Sequence, residues 1–304
     1  MFYTITMNPA LDYYLEPVSE EKGKTNRVRN ERIVPGGKGF NVSMMLRTLG
    51  EETAAFGFTS GFSGAELRRL MEEKSVKSVF FDVRTGFTRI NVKLLGETVT
   101  EYNGSGITLR DEDIEKLISE VSALDPEDWL IFSGKDANRT EDSKKTVADI
   151  LREKKNPEER LVADVSGETL LSVLPLRPFL IKPNVDELSE AVGHPVSTDP
   201  EIRESAETLQ KMGARNVLVS RGGDGAALLT ESGEFYTAPA PEIPEDAVLN
   251  TVGAGDSLLA AFLHKVSRGA SWEEALSFSV RIGTEAACTL GIPEKVLDED
   301  ALRE

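Results

Sequence analysis

The chain has 304 residues, 39% of them hydrophobic, and sets 35 Lys and Arg against 52 Asp and Glu for a formal charge of -17. That length and apolar fraction are enough to bury a large core, so disorder is not expected. The acidic balance would repel a nucleic-acid backbone or an anionic membrane surface, and neither partner is expected.

The opening MFYTITMNPALD has no basic stretch followed by a long apolar run, so it reads as a first strand and not as a secretory signal. Asp12 to Val34 and, later, Thr85 to Tyr102 interrupt the rhythm of the chain. In the second of these TRINVKLL and TVTEY alternate as exposed strands do, with no helix between them. The two segments are expected to pair into a small separate sheet, hinged on Gly36 and Gly37 and on Asn103 to Gly106. Such a sheet would serve as a lid or as a homodimer surface. Between them lies Pro35-Gly-Gly-Lys-Gly-Phe-Asn41, which opens the helix pattern VSMMLRTLG. Paired glycines allow a backbone to approach a ligand closely, while Lys38 and Asn41 offer a cation and an amide suited to hydroxyls or a phosphate.

From about Leu124 short apolar runs alternate with longer amphipathic stretches: WLIFS, LVADVS, FLIKPN and NVLVS, with helix-like segments between. This predicts a parallel sheet covered by helices, with ligands bound outside the carboxyl ends of its strands. Lys182-Pro-Asn-Val-Asp-Glu187 follows one such strand. Asn184 and Glu187 share a helix face there, where Glu187 either positions Mg²⁺ through water or is a solvated acidic residue in a first helical turn. Val219-Ser-Arg-Gly-Gly-Asp-Gly225 is either a cradle for nucleotide phosphates or a tight hairpin. APAPEIPEDA, Ala238 to Ala247, reads as an exposed connector.

The most informative stretch is Asn250-Thr-Val-Gly-Ala-Gly-Asp-Ser257, followed at once by the apolar helix pattern LLAAFLHKV. Small residues at a helix N-terminus let backbone amides point into open space, so Thr251 to Gly255 form a candidate anion hole. Asp256 then stands beside any phosphate held there, either as a base for an attacking hydroxyl or simply as a helix cap. The apolar run Leu258 to Leu263 is far shorter than the roughly 20 residues of a membrane span. The lone cysteine, Cys288, cannot close an internal disulfide and is expected to be a buried structural thiol, which fits a reducing cytoplasm. His194 and His264 stand outside any His/Cys/Glu cluster, so a His-based zinc site is not expected.

Taken in order, NPALD, GGKGFN, TRINVK, KPNVDE, VSRGGDG and TVGAGDS make the chain resemble the phosphofructokinase-B family of the ribokinase superfamily over nearly its whole length. NPALD, TNRV at Thr25 to Val28 and TRINVK are most similar to its branch of 1-phosphofructokinases and tagatose-6-phosphate kinases. The resemblance implies one ribokinase-like α/β kinase domain over residues 1–304, a three-layer αβα sandwich with a mainly parallel central sheet. Residues 12–34 and 85–102 would form its small β-sheet lid. It also implies ATP as donor with Mg²⁺, and direct in-line transfer to a phosphorylated ketohexose. Fructose 1-phosphate is the leading acceptor and tagatose 6-phosphate the alternative; a non-catalytic sugar-phosphate sensor on the same fold is a further one. On this pattern Asp256 is the base and Gly253, Ala254 and Gly255 stabilise charge on the transferring group. Asp12, Gly37, Lys38 and Asn41 would hold sugar hydroxyls, joined by Arg89, Asn91 and Lys93 from the lid, with Arg89 and Lys38 as candidates for the existing phosphate. Asn184, Ser220, Gly222, Gly225 and Thr251 would line the ATP side, and Glu187 the Mg²⁺. One departure stands out: Ser133-Gly-Lys-Asp-Ala-Asn-Arg139 replaces a small apolar turn of that branch. Lys135 and Arg139 are therefore either extra phosphate contacts or part of a solvated variant loop.

Overall fold

The structure, a computed structural model, describes residues 1–96, 99–244 and 247–296; Glu97 and Thr98 of the second insert and Glu245 and Asp246 of the connector lie outside the described residues. In chain order the first half runs β1 (Phe2–Thr6), β2 (Ala10–Pro17), β3 (Val28–Gly36), α1 (Lys38–Thr48), β4 (Thr53–Thr59), α2 (Gly61–Glu73), β5 (Lys77–Asp82), β6 (Arg89–Leu95), β7 (Val99–Asn103), β8 (Thr108–Leu109) and α3 (Asp111–Ser122). The second half runs β9 (Trp129–Ser133), β10 (Asn138–Arg139), α4 (Val147–Arg152), α5 (Pro157–Arg160), β11 (Leu161–Asp164), α6 (Gly167–Val173), β12 (Leu180–Ile181), α7 (Val185–Val192), α8 (Asp199–Met212), β13 (Asn216–Ser220), β14 (Ala226–Leu229), β15 (Phe235–Ala238), α9 (Ala254–Ser267) and α10 (Trp272–Ala287).

Nine strands form the central sheet in the order β15-β14-β13-β12-β11-β9-β1-β4-β5, parallel from β5 to β13 and closed by an antiparallel hairpin edge. The strands expected from WLIFS, LVAD, FLI and NVLVS are all in it. WLIFS is buried at every position because helices cover both faces. Alternate side chains divide between those faces. Leu130 and Phe132 join the core under α3, α4 and α8, while Trp129 and Ile131 pack with Val42 and Met45 of α1 and with Leu259 and Phe262 of α9. In α3, Ile114, Leu117 and Val121 supply the buried stripe, at the three- and four-residue spacing of one helix face.

From β1 the order steps outward through β4 to β5 on one side and, from β9, through β11 and β12 to β13 on the other. The switch between β1 and β9 leaves a crevice at the strand carboxyl ends, where such sheets bind ligands.

A second sheet has the order β3-β2-β6-β7. Its register pairs Asp12 with Asn91 and Tyr14 with Lys93 across β2 and β6, and Lys93 with Glu101 across β6 and β7. Side-chain alternation therefore puts Asp12, Tyr14, Arg89, Asn91 and Lys93 on one face. A short pair, β8 with β10, ties the atypical Ser133 to Arg139 loop to the segment after β7. Cys288 departs from expectation: it caps the end of α10 and is only partly buried, because the helix has reached the surface there. Among the described residues no helix is long and apolar enough to cross a membrane.

Candidate functional site

Helix α9 begins at the crevice. Its N-cap is Gly253, whose φ of 87° lies in the left-handed region that favours glycine, and no side chain caps the helix. Asp256 sits in the first turn without capping it, which removes the simpler of its two readings. The amides of Gly253, Gly255 and Asp256 have no acceptor among the described residues, whereas those of Ala254 and Ser257 bond to Thr251 and Gly253 carbonyls. Unpaired amides at a helix N-terminus attract an anion, with the helix dipole adding to the field.

Asp256 is 5% exposed and its Oδ2 accepts a hydrogen bond from Asn41 Nδ2 at 2.8 Å. Burial, then the nearby Asp164 carboxylate, push its pKa up to about 6, against the opposing pull of Lys38, Asn41 and Lys182. Asp164 is wholly buried at the end of β11. Lys182 Nζ lies 3.2 Å from its Oδ1 and Lys38 Nζ lies 3.5 Å from its Oδ2. Those two cations outweigh burial and hold Asp164 below the usual carboxylate range. Asp164 in turn raises the pKa of Lys38, whose ammonium is also 4.0 Å from Glu187 Oε1. A Cβ on Gly255 would lie 3.4 Å from Lys182 Nζ, so this ammonium stands directly beside the free amides.

Lys38 is reached through Gly37, the N-cap of α1. There φ is 119°, and a Cβ would come within 2.7 Å of Thr6 Cγ2. Only glycine lets the chain turn into the helix so close to β1.

On the small sheet Asn91 Nδ2 donates to Asp12 Oδ1 at 2.8 Å, and both side chains are buried. Burial raises the pKa of Asp12 in spite of Lys93, Asn91 and Arg89. Lys93 Nζ is paired with Glu101 at 3.0 Å. Arg89 donates from Nε to the Asn8 carbonyl at 3.1 Å and has no carboxylate partner within 4.0 Å among the described residues. Burial lowers its pKa. Thr6 Oγ1, Asn8 Oδ1, Asn91 Oδ1 and Ser133 Oγ are buried and have no hydrogen-bond partner among the described residues.

On the opposite side Asn184 and Glu187 form a capping box on α7, with Glu187 N to Asn184 Oδ1 at 2.7 Å and Asn184 N to Glu187 Oε2 at 3.0 Å. The capping role is real, yet it engages only Oε2, so both expected readings of Glu187 survive. VSRGGDG is a hairpin between β13 and β14 whose turn at Ser220, Gly222 and Gly225 faces the crevice.

One cavity of about 970 Å³ brings all these residues together. Asp12, Gly37, Lys38, Asn41, Arg89, Asn91, Lys93, Asn184, Glu187, Ser220, Gly222, Gly225 and Thr251 line it with Gly253, Ala254, Gly255 and Asp256. Lys135 lines it too, and Arg139 does not; the latter is paired with Asp136 at 2.7 Å. Two buried charges, Asp164 and Lys182, had no role in the sequence reading. Their signal is a charged residue at the end of a fully apolar strand. The connector is the other revision. Ala240, Pro241, Ile243, Pro244 and Val248 form an apolar cavity wall beside Val280 and Ala287, so this segment is not merely exposed.

The pfkB family carbohydrate kinase model matches residues 5–294. The 1-phosphofructokinase of Bacillus subtilis is 35% identical over 288 residues, 94% of this chain and 92% of the relative. The D-tagatose-1-phosphate kinase of Bacillus licheniformis is 32% identical over 304 residues, 99% of this chain and 97% of the relative. Among solved structures, phosphofructokinase-2 from Escherichia coli in complex with substrates and products superposes with a TM-score of 0.84 at 26% identity, covering 94% of this chain and 93% of that one. The fold expected from the motifs, a mainly parallel central sheet with a small separate sheet, is the fold of this neighbour. The chain belongs to the pfkB family of carbohydrate kinases.

Proposed function

We propose that the protein transfers a phosphoryl group from ATP to the C6 hydroxyl of a ketohexose 1-phosphate, with fructose 1-phosphate as acceptor and fructose 1,6-bisphosphate as product. The observation that carries this reading is a buried carboxylate, Asp256, set beside unpaired helix-start amides in one cavity with Arg89, which has no carboxylate partner among the described residues. Asn41 holds Oδ2 of Asp256, so Oδ1 is left to take the hydroxyl proton as the sugar oxygen attacks. The amides of Gly253, Gly255 and Asp256, with Lys182, stabilise charge on the moving group. When bound, ATP supplies the phosphoryl group, and its bond to ADP breaks as the bond to the sugar oxygen forms. Asp12, Asn91 and the unpaired polar atoms of Thr6, Asn8 and Ser133 offer the hydrogen bonds that a polyol needs.

In this reading Lys38, whose ammonium lies between Asp164 and Glu187, serves the transferring group, and Arg89 is the contact for the phosphate already on the sugar. The four-stranded sheet acts as a lid over the acceptor.

The donor set fits Mg²⁺, an ion ordinarily held by phosphates, water and one or two carboxylates. Glu187 Oε1 is the carboxylate oxygen available, acting through water. Glu187→Gln preserves the capping box, since glutamine serves that role equally, so its effect should fall on the metal. The half-saturating Mg²⁺ concentration is expected to rise about 10-fold; a titration shifted less than twofold would end this role.

The relatives named D-tagatose-1-phosphate kinase favour tagatose 1-phosphate, the C4 epimer of fructose 1-phosphate, as the second acceptor in place of tagatose 6-phosphate. The deciding experiment measures ADP release with fructose 1-phosphate, tagatose 1-phosphate, fructose 6-phosphate and free fructose. Selective turnover of a ketohexose 1-phosphate is expected; no turnover with any of the four would sink the reading.

A further inference from the structure

Tyr14 lies on β2 two residues beyond Asp12, so both side chains emerge on the same face of the small sheet. It is 3% exposed, and its ring has Lys93 Nζ 5.9 Å from the centroid. The phenol oxygen accepts a hydrogen bond at 2.9 Å from Nδ2 of Asn250, a residue 236 positions away and 4% exposed. Asn250 begins the segment that carries the free amides. Its Oδ1 accepts the Val252 N–H at 3.0 Å, and its own N–H donates to the Ala287 carbonyl at 3.1 Å. The side-chain amide is thus used at both ends: one end grips the loop before Gly253 and the other grips the small sheet.

We infer that Tyr14 is a positioning residue for the transfer step, fixing the anion-hole loop in register with the sheet that carries Asp12 and Arg89. The inference rests on the phosphoryl-transfer reading above. That reaction needs an acceptor oxygen held from one side and a phosphoryl group held from the other, aligned within a fraction of an ångström. The Tyr14–Asn250 bond joins those two sides. Burial, reinforced by the Asp12 carboxylate, raises the Tyr14 pKa, so the phenol stays neutral and the contact persists across the working pH range.

Tyr14→Phe keeps the ring and its place under Lys93 while removing the acceptor for Asn250. The expected result is a fall in kcat of about fivefold, with KM for ATP unchanged and the melting temperature lowered by a few degrees, because Asn250 Nδ2 is left buried without an acceptor. In an Asn250→Ala background the same substitution should add nothing, because the pair acts as a unit. Hydrogen exchange read without substrates should show faster exchange of the hydrogen-bonded Val252 and Ala254 amides in Tyr14→Phe. Unchanged exchange there, or a native kcat in Tyr14→Phe, overturns the coupling, as does a lowered melting temperature with kcat intact. A native protein that turns over no phosphosugar defeats the proposed reaction instead, and the exchange comparison then decides the coupling by itself.

Discussion

Asp256→Asn is expected to lower kcat for phosphoryl transfer by about 10³-fold, the scale of a lost general base, while leaving KM for ATP little changed. The substitution keeps the shape of the side chain and an oxygen for Asn41 to bond. What disappears is the ability to take the hydroxyl proton. The pH profile of the native enzyme should show the same group. With the Asp256 pKa pushed up to about 6, kcat/KM should fall about tenfold per pH unit below that value as the base becomes protonated. The break belongs to Asp256 and Asp164 as a pair, because each carboxylate acts on the other. Stability should move the other way. A folded-state pKa above the unfolded value means that the native protein binds the extra proton between about pH 4 and pH 6, so its stability falls as pH rises through that window. Above pH 6 the full cost of the buried charge is present, and the neutral asparagine avoids it. Asp256→Asn should therefore melt higher than the native protein at pH 7, and this advantage should shrink toward pH 4. A variant with more than a tenth of native kcat would exclude Asp256 as the base.

The parts of this architecture that were legible in the sequence are those encoded in contiguous residues. WLIFS and NVLVS read as central strands because each carries an unbroken run of apolar residues, and TVGAGDS reads as an amide-lined helix start because glycine, alanine and an acid occur in one run. The alternation of TRINVKLL marked a strand, and in β6 Arg89, Asn91 and Lys93 stand at alternate positions on one face. What could not be read is what depends on which strands become neighbours. Asp164 and Lys182 are 18 residues apart and become partners only because β11 lies beside β12. The proposed role of Lys38 at the transferring group rests on the same carboxylate, 3.5 Å from its ammonium, which the glycine-rich motif around the lysine does not reveal. The connector was read in part only, for a different reason. Its prolines and acids have the composition of a solvated link, yet the apolar residues between them turn to the cavity, and composition carries no direction.

Arg89→Gln is the substitution expected to separate phosphorylated from unphosphorylated acceptors. Three cations from the sugar-side motifs line the cavity, and the structure assigns carboxylate partners to two of them: Lys93 to Glu101, and Lys38 to Asp164 and Glu187. Arg89 spends Nε on the Asn8 carbonyl, and the rest of its guanidinium is left for a ligand. Desolvation lowers its pKa, a cost that an incoming phosphate would offset. Charge-assisted bonds of this kind contribute about 1.5–3 kcal/mol, so KM for fructose 1-phosphate should rise roughly 10- to 100-fold. KM for ATP should stay native, since the donor end of the cavity is untouched. Slow turnover of free fructose, measured at high sugar concentration, should be no worse than native, which lowers the preference for the phosphorylated acceptor by the same factor. An equal loss with both sugars would mean that Arg89 shapes the lid and does not contact the phosphate. The phosphate contact would then fall to Lys135, the remaining cation on the cavity wall for which the described residues provide no carboxylate within 4.0 Å.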